Sequence, residues 1–151
     1  MNIRKSALTA ALAFASVLAL AGCDAAPSEK PHVVYDRYYA LIIAGRTFDE
    51  DKSFYSKARQ AEVMAKVRDR TSKSGRPIKE LTDLYLKFTK RVADCGELTL
   101  LEETINGKRA SLVYSRKETC AATAQKDGRE LIEMIDEDGW KIISNTTKVP
   151  G

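Results

Sequence analysis

Three cysteines, one histidine and six tyrosines carry most of the chemistry open to this 151-residue chain. A cysteine sulfur can be acylated or alkylated, can ligate a metal, or can oxidise with a second thiol. Acid–base catalysis instead needs a carboxyl, imidazole or phenol held in an apolar pocket, so that its pKa moves toward working pH. His32 lies four residues before Asp36, and it reads as a solvated helix-end residue. Tyr35, Tyr38 and Tyr39 recur at helical spacing, where such residues belong to a core or an interface more often than to a site. The candidates for lining a pocket are Tyr38, Tyr85, Phe88 and Trp140, the last packed in a closing hairpin. Asp49-Glu50-Asp51 and Asp136-Glu137-Asp138 offer oxygen ligands for a cation, but the first fits a helix start and the second a turn. No zinc spacing, phosphate loop or serine-nucleophile elbow occurs. No residue is assigned a catalytic role, and no metal or cofactor is expected.

Cys23 has the most distinctive surroundings. Arg4 and Lys5 make a positive start, Ala7 to Ala21 run without a charge, and small residues lead into the cysteine. This is the order of zones in a secretory signal peptide. The uncharged run is shorter than the ~20 residues a membrane-spanning helix needs. Leu20-Ala21-Gly22-Cys23 resembles the lipobox of bacterial lipoproteins. The resemblance implies a diacylglyceryl group on the Cys23 sulfur, cleavage before Cys23 and acylation of the new amino group. Two or three acyl chains hold a protein on a bilayer stably, where one does so only marginally. In part of that family an aspartate after the cysteine, here Asp24, retains the protein in the inner membrane. The implied location is the cell envelope facing the periplasm, with the inner membrane favoured. The membrane, reached through the lipid, is then one partner.

On this reading residues 1–22 are a signal peptide, 23–30 a lipidated tether, 31–146 one folded domain and 147–151 a tail. The 25 basic residues, less Arg4 and Lys5, leave 23 against 21 acidic ones. So slight an excess is not the concentrated basic footprint of a nucleic-acid binder, and no nucleic-acid partner is expected. Lys66, Arg68, Arg70, Lys73, Arg76 and Lys79 do cluster. Asp69 and Glu80 interrupt the run, so it reads as a solvated helix end. Contact with anionic lipid headgroups is the alternative.

The elements that must position these residues follow from periodicity. Pro31 suits a first helical position, Val34, Tyr38, Leu41 and Ile42 share a face, and Gly45 suits a stop. A helix is predicted over 32–44. Thr47 with Glu50 has the capping-box form and opens a second helical region, with Phe54, Ala58, Ala61 and Met64 as its stripe, flanked by Val67. Ile78, Leu81, Leu84, Tyr85, Phe88 and Val92 predict a third helix over 77–93. Beyond Cys95 the period shifts toward two. Asn106-Gly107 predicts a hairpin turn, and a second hairpin joins 130–135 to 140–144 through Asp136 to Gly139.

With Cys23 committed to lipid, Cys95 and Cys120 remain in an oxidising compartment, where paired thiols oxidise. If Asn106-Gly107 is the turn, Leu101 faces Leu112, Leu100 faces Val113 and Glu97 faces Arg116. Cys95 then lies opposite Glu118, on the face of Cys120 but diagonal to it and slightly too far for a disulfide. A bulge in the second strand, or fraying at Cys95, would close the gap. A structural Cys95–Cys120 disulfide is expected.

Three helices followed by two antiparallel hairpins make an α+β domain. Residues 38–45 with Phe48-Asp49, and Leu131-Ile132 through Gly139-Trp140-Lys141-Ile142, resemble the opening helix and closing hairpin of nuclear-transport-factor-2-like (cystatin-like) domains. The resemblance implies a curved antiparallel sheet of about four strands wrapped around helices as a cone. With no catalytic residue assigned, the expectation is a non-catalytic envelope lipoprotein whose domain binds a small ligand or an envelope protein. A small isomerase or hydrolyase using the cone is the alternative that the superfamily suggests. Apolar residues on both strand faces, at Leu100-Leu101 and Ile142-Ile143, point to a homodimer through the sheet.

Overall fold

The computed structural model describes residues 29–120 and 128–148. The signal segment, Cys23, Asp24 and most of the tether therefore lie outside the described residues, as does most of the connection read between 121 and 128. Helices α1 (Pro31–Ala44), α2 (Phe48–Ser53), α3 (Lys57–Ser74) and α4 (Ile78–Asp94) precede strands β1 (Gly96–Asn106), β2 (Arg109–Glu118), β3 (Gly128–Asp136) and β4 (Trp140–Lys148). The strands form one antiparallel meander, β1-β2-β3-β4, which does not close. The α+β class is as expected, and β4 runs two residues into the segment read as tail. Among the described residues no helix is long and apolar enough to cross a membrane.

There are four helices where three were expected. Thr47 caps α2 through the capping box with Glu50. The chain then leaves helical geometry at Phe54 to Ser56, because these residues pair with the edge of β4. The Ile142 N–H donates to the Phe54 carbonyl (2.7 Å), and the Ser56 N–H donates to the Ile142 carbonyl (3.0 Å). Ser56 then caps α3 by accepting from the Arg59 N–H. The expected stripe of the second region is thereby broken: Ala58 and Ala61 are exposed, Phe54 packs on the core from outside α3, and the half-buried apolar positions of α3 are Val63, Met64 and Val67.

The core lies between one sheet face and α1. Leu112, Tyr114, Ile132, Met134 and Ile142 are buried from the sheet side, and Val34, Tyr35, Tyr38 and Ile42 meet them from the helix. The inward set on β2 is Ala110, Leu112, Tyr114 and Arg116, the period of two that a half-buried strand requires. His32 corrects its solvated reading. Its backbone N–H donates to Glu103 (3.1 Å) and its Nδ1 lies 3.0 Å from the same carboxylate, tying the start of α1 to β1.

The first hairpin is shifted from the expected register. Asn106 pairs with Arg109, so Gly107 and Lys108 make the turn. Only Gly107 of the two has positive φ (58°), as a type II′ turn demands of its first central residue. Leu112 consequently faces Glu103, Leu100 faces Tyr114, and Glu97 faces Lys117. The register slips between Leu100 and Glu102, so the bulge is in the first strand, at Leu101, and not in the second. A matching slip between Glu133 and Met134 leaves Ile143 as the extra residue of β4. The doubled apolar pairs at 100–101 and 142–143 are thus bulge sites on the two edge strands, where one side chain more than the pleat needs is accommodated.

Cys95 caps α4 just ahead of β1, and its carbonyl accepts from the Thr119 N–H (2.8 Å). The Cys95–Cys120 disulfide forms there, beyond the ladder, with Cα atoms 5.1 Å apart. Neither expected adjustment closes the gap; the changed register does, because Gly96 now stands opposite Glu118 and Cys95 meets Thr119, the neighbour of Cys120.

Candidate functional site

A cleft of about 270 Å³ opens between α1, α4 and the far ends of β2, β3 and β4. Tyr38, Tyr85 and Phe88 all line it, as three of the four candidates should. Trp140 does not. It is buried at the start of β4 and lines a separate hollow with Val34, Arg37 and Phe54. The β4 residues on the cleft are Asn145 and Thr147. At roughly 3.3 Å per residue these lie about 17–23 Å further along the strand.

Two buried carboxylates border the cleft, and each is paired. Asp51 is fully buried on α2. It accepts from Arg46 Nε, from the Tyr38 hydroxyl (2.9 Å) and from the Tyr55 hydroxyl (2.8 Å). With both of those protons directed at Asp51, the 3.1 Å contact between the Tyr55 and Tyr85 hydroxyls has Tyr85 as donor. The Arg46 guanidinium also reaches Thr89 and lies 5.6 Å from the centre of the Tyr38 ring. Burial works against its charge, but the adjacent Asp51 carboxylate and the Tyr38 and Tyr85 phenols together outweigh it, and the Arg46 pKa stays above the usual arginine value.

Glu130, buried on β3, accepts from Arg116 Nη1 (3.2 Å) and the Tyr35 hydroxyl (3.2 Å). Arg116 Nη2 donates to the Val92 carbonyl (2.7 Å), which fastens α4 to β2. Gly96 makes room for that guanidinium, since a Cβ there would come within 2.5 Å of it. Arg116 Nε is buried without a partner.

Burial drives the phenol pKa values upward. Tyr35 and Tyr38 stand well above the ordinary tyrosine value, burial acting first and the neighbouring Glu130 and Asp51 charges adding to it. Tyr55 is likewise raised by burial, with Tyr38 and Tyr85 beside it. The cleft wall at neutral pH therefore carries the un-ionised Tyr35 and Tyr38 hydroxyls beside the Arg46–Asp51 and Arg116–Glu130 ion pairs and the Arg59 guanidinium.

Sequence alone pointed to neither Arg46 nor Tyr55; Asp51 figured only in an acidic run at a helix start, and Arg116 and Glu130 only as strand residues. One signal was present: a tyrosine hydroxyl in an apolar stripe needs a hydrogen-bond partner once buried. Tyr38 and Tyr85 thus demanded an acceptor, though nothing local distinguished Asp51 from Asp49 or Glu50. Among the described residues, the grouping of ligating atoms close enough for a metal is Cys95, Glu118 and Cys120, whose two sulfurs are bonded to each other. Comparison with protein-family models, with curated proteins and with solved structures gives no match for this chain.

Proposed function

We propose that this chain is a lipid-anchored lipoprotein of the cell envelope whose periplasmic domain, nuclear-transport-factor-2-like in form, binds a small ligand or an envelope protein without transforming it. The observation that carries the binding role is the pairing of both buried carboxylates at the cleft. Asp51 is held by Arg46 and two phenols, and Glu130 by Arg116 and one. An isomerase or hydrolyase working through a general base needs a carboxylate whose proton affinity is raised by apolar surroundings. Charges committed to arginines supply shape and rigidity to a recognition surface instead. The anchor rests on Leu20-Ala21-Gly22-Cys23, and Asp24 favours the inner membrane.

Mass spectrometry of the full chain purified from membranes tests the anchor. The expected product starts at an acylated Cys23, and Cys23→Ser abolishes the modification. An unprocessed start or an unmodified Cys23 overturns this part. A photoreactive amino acid at Thr147, which lines the cleft, tests the binding role in intact cells. One dominant adduct is expected, and the absence of any adduct overturns the role.

A further inference from the structure

α3 leaves an amphipathic face uncovered. None of its residues is buried. Arg59, Val63, Lys66, Val67 and Arg70 nevertheless form one stripe, at steps that bring helical residues to the same side. The stripe looks across a groove of about 500 Å³ at α4, whose Leu81, Leu84, Tyr85 and Phe88 form the other wall. Leu84 is 47% exposed and Phe88 60%, although both lie on the apolar side of a strongly amphipathic helix.

The groove has an apolar lining and a cationic rim. α3 carries six basic residues against Glu62 and Asp69. Both acids are used within the helix, Glu62 by Lys66 and Asp69 by Lys73. Arg59 and Arg70 have no ion pair among the described residues, and both line the groove. Arg59 rests over the Tyr55 ring at 4.4 Å, at the point where groove and cleft share Arg59, Tyr85 and Phe88.

We infer that the α3–α4 groove binds a single anionic amphiphile, a long-chain carboxylate, with the acyl chain along the Val63–Val67 and Leu84–Phe88 walls and the head at Arg59 or Arg70. Charge complementarity selects the sign of the head, and the apolar walls select the chain. The size of the recess suits a small molecule, since about 500 Å³ lies within the ~300–1,000 Å³ range of such sites. The inference goes beyond the proposed function, because it requires neither the anchor nor an adduct at Thr147.

The test uses the full chain in nanodiscs of zwitterionic phosphatidylcholine, with two photoreactive probes: a diazirine palmitic acid and the matching palmityl alcohol. Cross-linked peptides are mapped by mass spectrometry. The acid is expected to label residues 63–70 and 81–88 at least tenfold more than the alcohol does. The pair Arg59→Ala/Arg70→Ala should lower that labelling at least fivefold while leaving the far-ultraviolet circular dichroism unchanged. Leu84→Asp should lower it by blocking the chain. An unlabelled groove, equal labelling by acid and alcohol, labelling unaffected by the arginine pair, or groove residues cross-linked to a second copy of the chain would each overturn the inference.

Discussion

Asp51 and Arg46 are each almost wholly shielded from water, and each is the other's counter-charge. Removing one member leaves an uncompensated buried charge, which costs about 3–5 kcal/mol. Asp51→Ala should lose stability of that order in chemical denaturation. Arg46→Leu/Asp51→Leu should recover part of it, but not all, because the Tyr38 and Tyr55 hydroxyls would still lack their acceptor. The buried phenols make a second prediction at this scale. Tyr35, Tyr38, Tyr55 and Tyr114 all hold their protons to higher pH in the folded chain than the ordinary value near 10, burial being the leading cause in each. Above pH ~10 the unfolded chain therefore binds fewer protons than the folded one, and stability falls as pH rises. Each such tyrosine removes about 1.4 kcal/mol per pH unit in that window, with its contribution intact below it. Thermal midpoints measured across that range should drop steeply, and phenolate absorbance should appear together with unfolding. Gly96→Ala tests the space around Arg116: a Cβ pressing on a guanidinium fastened to Glu130 and Val92 should cost about 1–3 kcal/mol.

Elements were legible where one local signal sufficed. Pro31 opens α1, Gly45 ends it with positive φ, and the Thr47–Glu50 box opens α2, all as their residue types require. Register was not legible, because moving the turn by one residue shifts every pairing by two, and the Leu101 bulge then takes one residue back and exchanges the faces of β1 beyond it. Asn106 occupies a strand position opposite Arg109, while Gly107 alone takes positive φ. Asn106→Ala should thus be nearly neutral, whereas Gly107→Ala should cost about 1–2 kcal/mol in equilibrium unfolding, the strain of a Cβ in that conformation. The disulfide acts at the same scale. It joins the end of α4 to the end of β2 across a separation of 25 residues. Closing a loop of that length stabilises the fold by about 3.5 kcal/mol through lost chain entropy in the unfolded state. Cys95→Ser/Cys120→Ser should lower the unfolding free energy by that amount, and a reducing agent should produce the same loss in the unmodified chain.

For the molecule as a whole, the open sheet packs its buried face on α1, while the α3–α4 hairpin leaves an apolar and cationic groove uncovered. The sequence by itself determined the α+β class, the ends of α1, the presence of two hairpins and the identity of the disulfide partners. These depend on periodicity, caps, turn residues and cysteine count, which act over a few residues or on composition. Only the tertiary structure decided which charges are buried, which tyrosines share an acceptor, that Trp140 stands apart from Tyr38, Tyr85 and Phe88, and that the chain leaves its helix at Phe54 to pair with β4. Each of those depends on groups far apart in the chain meeting at hydrogen-bond or van der Waals distance. A residue's type states what partner it needs, and only the packed fold states which partner it finds.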